Sequence, residues 1–136
     1  HGTLQDLRAR YGDLIRIVFR DAPLEFHTRA LPAALAAHCA DVQGRYDAVQ
    51  DLLFAHQDAL EDVDLERYAA RADLDVPAWR ACLADPGSRA EIDRDLEAME
   101  RVGVTGVPRA FVNGVEVSGA RPIETFIGII ERELAR

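Results

Sequence analysis

The stretch Gly103-Val104-Thr105-Gly106-Val107-Pro108-Arg109-Ala110-Phe111-Val112-Asn113-Gly114 constrains the fold more than any other part of the chain. A glycine closes a helical pattern, a Val-Pro step follows, and an apolar run then leads into Asn-Gly. Asn-Gly between Arg109–Val112 and Val115–Ser118 predicts a two-residue β-hairpin, because the turn that matches strand twist needs positive φ at both central residues. The proline ahead of the first strand fixes φ and donates no hydrogen bond. A Gly-Val-Pro step that opens a hairpin is where a cis peptide is useful. The plain alternative is an ordinary trans proline ahead of an edge strand.

The rest of the chain reads as helices around one short apolar run. Thr3–Tyr11 ends a helix, with Leu4 and Leu7 on one side and Gly12 as its stop. Leu14–Phe19 (Leu-Ile-Arg-Ile-Val-Phe) is rich in β-formers and is predicted as a buried strand. After a loop around Pro23, Leu31, Leu35, Cys39 and Val42 recur at helical spacing, which predicts a helix over about Ala30–Asp41 that Gly44 breaks. Tyr46, Val49 and Leu53 mark a second helix of this series, and Leu65, Tyr68 and Ala69 a third. Asp75-Val76-Pro77 is a cap with proline in the first turn, opening a short helix with Trp79, Cys82 and Leu83 inward. Asp85-Pro86 repeats that signature before a long helix carrying Ile92, Leu96 and Met99 inward and ending at Gly103. Pro122 opens the last helix, with Ile123, Phe126, Ile127, Ile130 and Leu134 on one face. A run of helices placed between strands suits α/β layers better than an all-helical bundle.

With 136 residues, 49% of them apolar and 29% charged, the chain is predicted to be one globular domain, residues 1–136. A formal net charge of −8 argues against nucleic acid as a partner. The basic residues alternate with acids, as in Arg89-Ala90-Glu91-Ile92-Asp93-Arg94-Asp95, which is a solvated helix face. No apolar run approaches the length of a membrane-spanning helix. The chain begins at His1 without methionine or a signal peptide, and the expectation is a piece of a longer protein.

Cys39 and Cys82 fall on the inward faces of two predicted helices. Buried free thiols and a bridge between the helices are both open readings. Two cysteines without ligand-spaced partners fall short of a four-ligand metal site, so no metal is expected. His27, His38 and His56 form no motif and read as ordinary loop or surface residues. There is no glycine-rich phosphate loop after a strand and no Gly-X-Ser-X-Gly.

Several segments together resemble the DsbA-like branch of the thioredoxin-fold oxidoreductases. They are Tyr11-Gly12-Asp13, Phe19-Arg20-Asp21-Ala22-Pro23-Leu24 with His27, Ala36-Ala37-His38-Cys39-Ala40, Gln43-Gly44, Asp51-Leu52-Leu53-Phe54, Leu74-Asp75, Ala81-Cys82-Leu83 and the Gly103–Gly114 block. The resemblance implies an α/β thioredoxin-like fold with a helical insertion over about residues 29–102. It makes Val107 and Pro108 the cis-proline substrate loop. It also places the family's Cys-X-X-Cys upstream of His1, together with the strand that lies between Leu14–Phe19 and Arg109–Val112. The N-terminal βα unit is therefore expected to be missing. Arg109 departs from the small or hydroxyl residue expected after the proline. It either supplies a positive charge that favours a thiolate or begins the strand as an exposed arginine.

The function that the resemblance implies is thiol–disulfide exchange on protein cysteines through a mixed disulfide, with substrate proteins as partners, no cofactor, and the nucleophile outside this chain. Some DsbA-like proteins carry an extra disulfide in the helical insertion. The resemblance thus implies a structural Cys39–Cys82 bridge beside the free-thiol alternative, and with it a periplasmic or extracytoplasmic setting. Two other readings keep the fold. One is an enzyme similar to glutathione transferase kappa and 2-hydroxychromene-2-carboxylate isomerase. The other is a thioredoxin-like accessory domain fused to a membrane antiporter.

Overall fold

The computed structural model describes residues 1–136. Along the chain run α1 (Gly2–Tyr11), α2 (Ala30–Asp41), α3 (Tyr46–Ala55), α4 (Asp62–Arg71), α5 (Val76–Ala84), α6 (Pro86–Arg101), β1 (Arg109–Val112), β2 (Val115–Ser118) and α7 (Ile123–Leu134). The chain divides into two compact units, one formed by His1–Phe19 with Met99–Arg136 and the other by Arg20–Ala98.

In the first unit, β1 and β2 pair antiparallel in the register Arg109↔Ser118, Ala110↔Val117, Phe111↔Glu116 and Val112↔Val115. Asn113 and Gly114 form the turn with φ of 48° and 86°, the positive values that a two-residue hairpin demands. The hairpin lies in an apolar cluster of Leu7 and Tyr11 from α1, Val117 from β2, and Phe126, Ile129 and Ile130 from α7. Leu4, Ile15, Ala110, Val112, Ile123 and Ile127 pack around it.

Two sequence expectations fail here. Leu14–Phe19 is not a buried strand. Gly12–Leu14 forms a 3-10 turn, and the segment after it is extended but joins no ladder. Ile15, Ile17 and Phe19 are half-buried while Arg16 and Val18 are exposed, and Leu14 is 67% exposed. The alternation of a strand is present, but a strand also needs a second backbone to bond, which composition cannot supply. In α7 Ile129 joins Phe126 and Ile130 in the enclosed face, and Leu134 is exposed because it is the helix's last residue, beyond the cluster.

The second unit is helical. Its core gathers Ala36, Ala37, Cys39 and Ala40 from α2, Val49 and Leu53 from α3, Leu65, Tyr68 and Ala69 from α4, then Ala72, Leu74 and Trp79. α2 packs against α3, α4 and α5, and its small alanines allow that close approach. This corrects the expected inward face. Leu31 and Leu35 are only half-buried, and Val42 is exposed, because it lies past the helix end and the alanine face is the one enclosed.

Buried polar groups are paired across the unit. Trp79 Nε1–H donates to the Ala36 carbonyl (3.1 Å) and Tyr68 O–H to that of Ala59 (2.8 Å). Gln43 clamps Asp75 from both sides, donating to its carbonyl (3.1 Å) and accepting from its N–H (2.8 Å).

The helix ends follow their caps. Asp75 accepts from the Ala78 amide (3.0 Å) at the start of α5, and Asp85 from the Gly87 amide (2.8 Å) at the start of α6. At the other end of α6, Gly103 takes φ 72° while Val104 N–H bonds back to the Met99 carbonyl and Gly103 N–H to that of Glu100. This is a Schellman motif. α4 ends in the same way, but with Asp73 at φ 57° in the glycine position.

Candidate functional site

The loop before β1 is anchored by Val104, which is buried, and emerges at Val107, which is 49% exposed. The Val107–Pro108 peptide is cis. The Pro108 carbonyl accepts from Gly119 N–H (3.0 Å), which ties the loop to the end of β2. Neither backbone group of Val107 is engaged within the chain. An extended backbone laid beside it therefore meets a free donor and a free acceptor at the head of a strand.

Arg109 is not the exposed arginine of one reading. Its side chain is mostly buried and its guanidinium pairs with Glu116 of β2, its diagonal neighbour across the hairpin. Its Nε is buried with no acceptor. Period-two alternation places Arg109 and Glu116 on strands but not in contact; the hairpin register does that.

Cys39 and Cys82 are joined by a disulfide with S–S 2.04 Å and Cα–Cα 5.8 Å. The bond ties the last turn of α2 to the C-terminal part of α5. The Ser88 hydroxyl of α6 lies 3.3 Å from Cys82 Sγ and 4.0 Å from Cys39 Sγ. No group of three or more His, Cys, Asp or Glu side chains is arranged to hold a metal ion. No helix is long and apolar enough to cross a membrane.

Sequence reasoning missed one titratable cluster. Asp95 of α6 accepts from Arg20 Nη1 (2.9 Å) and from the Asp21 backbone N–H (2.8 Å), which brings the Asp21 side chain beside a second carboxylate. Burial, then repulsion by Asp95, pushes the Asp21 carboxyl up to about 6, and His38 opposes the rise. The only sequence signal is an acid followed directly by Ala22-Pro23-Leu24, which is weak. His38 thus has a neighbour in the fold, whereas His56 stacks on Tyr68 at 5.4 Å between ring centres and His27 leans on Phe26 at 4.5 Å.

A helix-backed hairpin entered through Val107–Pro108, with a helical unit inserted in the chain order between α1 and β1, is a thioredoxin-like α/β pattern. A family model described as thioredoxin matches residues 1–132, and the chain belongs to that family. Among curated proteins it is similar to Na(+)/H(+) antiporter NhaA 3 of Salinispora tropica, with 43% identity over 111 residues, 81% of this chain and 17% of that protein. It is also similar to Na(+)/H(+) antiporter NhaA 1 of Salinispora arenicola (38% over 122 residues; 89% of this chain and 19% of that protein). A third relative is Na(+)/H(+) antiporter NhaA of Herminiimonas arsenicoxydans (35% over 130 residues; 96% and 21%). The chain thus spans about a fifth of the length of these relatives. No solved structure gives a significant match.

Proposed function

We propose that this thioredoxin-like domain serves thiol–disulfide exchange of the DsbA type on cysteine-bearing protein segments. Val107 and Pro108 form the substrate loop, and the nucleophile is supplied from outside these 136 residues. The observation that carries the reading is the half-exposed Val107 with an unengaged N–H and C=O at the head of β1. A substrate strand paired there is held in register while a thiolate attacks its disulfide. One S–S bond breaks and a mixed disulfide forms, and a second thiolate then releases the product. The covalent bridge in the helical unit fits an oxidising, extracytoplasmic setting.

The test is nuclear magnetic resonance of the chain titrated with an extended peptide containing one cysteine. Shifts centred on the amides of Gly106, Val107 and Arg109 are expected. Shifts confined to the helical unit, or none at millimolar peptide, reject the substrate loop.

A second reading is an accessory domain of a sodium/proton antiporter, and the likeness to antiporter relatives favours it. In a parent polypeptide, ion transport that depends on this domain, without any thiol exchange, decides for that reading.

A further inference from the structure

We propose that the Cys39–Cys82 bridge is itself a thiol–disulfide exchange site for small monothiols. Cys82 is the exchanging sulfur, Cys39 the resolving one, and the Ser88 hydroxyl stabilises the Cys82 thiolate. This is independent of the loop at Val107.

Three observations support it. Ser88 is the one polar residue among the buried set, only 6% exposed. Its hydroxyl has just the bridge sulfurs as partners, Cys82 Sγ at 3.3 Å and Cys39 Sγ at 4.0 Å. A disulfide sulfur is a weak acceptor, so a buried hydroxyl is poorly satisfied while the bond is intact and gains a charge-assisted hydrogen bond once Cys82 is a thiolate. The hydroxyl therefore favours the opened form.

Second, the two sulfurs differ in access. Cys39 is fully enclosed, at 0% exposure, whereas Cys82 is only partly buried. An incoming thiolate is thus directed to Cys82. Third, Ser88 stands in the first turn of α6, where the helix dipole adds a favourable field at Cys82. The nearby charges on that turn are already committed, Asp85 to the Gly87 amide and Arg89 to Asp93.

The exchange balances as follows. A monothiol ionises and its thiolate attacks Cys82 Sγ. The Cys82–Cys39 bond breaks, and Cys39 leaves as a thiolate that takes up the released proton. A second thiolate attacks the small-molecule sulfur of the mixed disulfide, and Cys82 departs as a thiolate facing Ser88. Two monothiols are oxidised to one disulfide while the bridge is reduced to two cysteines, and the reverse order oxidises the pair.

The experiment equilibrates the intact chain in glutathione buffers of graded reduced-to-oxidised ratio, followed by acid quenching, alkylation and mass spectrometry. The bridge is expected to open while the far-ultraviolet circular dichroism stays native, with the trapped glutathione adduct on Cys82. Ser88→Ala is expected to shift the equilibrium about tenfold toward the bridge, the size of one charge-assisted hydrogen bond. Ser88→Thr, which keeps the hydroxyl, is expected to stay within about threefold of the original chain. Opening only on unfolding, an adduct on Cys39, or a Ser88→Ala equilibrium equal to the original overturns the proposal. Should Ser88→Ala fail to fold, native-state opening and the adduct's position on the unaltered chain decide the question.

Discussion

Asp21 is a carboxyl on which burial and a neighbouring carboxylate act in the same direction. Its folded pKa of about 6 stands above the ordinary 3.8, so between those values the native state holds a proton that the unfolded chain has lost. Stability from this group is present at low pH and falls as pH rises from about 4 to 6. The loss is on the order of 2–3 kcal/mol by pH 7. Asp21→Asn keeps the backbone bond to Asp95 and is expected to be more stable at pH 7 by about 2 kcal/mol, with little change at pH 4. Urea midpoints at the two pH values check it. Asp73 offers a second test, since it holds φ 57° where glycine is unstrained. Asp73→Gly is expected to raise stability by about 0.5–1 kcal/mol in the same assay. The two residues differ in legibility. Leu74-Asp75 with a following Val-Pro already signals a break near Asp73, but nothing local in the sequence says that Asp21 meets Asp95, 74 positions away.

At the scale of elements, the glycines, prolines and caps set the boundaries. α2 spans Ala30–Asp41, the range that the periodicity predicts, and the Asn-Gly pair sets the hairpin register. These are short-range effects, decided by a residue and its neighbours within one turn. Asp85→Ala removes the acceptor for the Gly87 amide and is expected to cost about 1 kcal/mol, seen as a lower urea midpoint. The segment Ile15–Phe19 is the contrary case, because its β-rich composition promises a strand and its backbone finds no ladder. Its amides are expected to exchange with solvent faster than those of Ala36–Ala40 in α2, as hydrogen-exchange mass spectrometry of the intact chain would show. Equal protection of the two segments would contradict the unpaired state.

Over the whole molecule, the bridge closes a separation of 43 residues within the helical unit. The chain-entropy model gives such a loop about 4 kcal/mol of stabilisation. Replacing both cysteines by alanine is expected to lower the thermal midpoint by ten degrees or more, on the order expected for a domain of this size. Differential scanning calorimetry measures it. The diagonal ion pair of Arg109 with Glu116 and the convergence of Ser88 on the disulfide also belong to this scale. Each joins residues on separate elements, so neither shows as a spacing.

By itself the sequence determined the helices, the hairpin with its turn and the thioredoxin-like class. The helices and the hairpin follow from dihedral preferences and side-chain periodicity within a few residues, whereas the class rests on the resemblance of segments spread along the chain. Only the tertiary structure decided which face of α2 is enclosed, that Leu14–Phe19 lacks a partner, that Arg109 is packed against Glu116 and that burial and Asp95 raise the Asp21 carboxyl. Those outcomes depend on distance through space and on exclusion of water, which a linear order of residues does not specify.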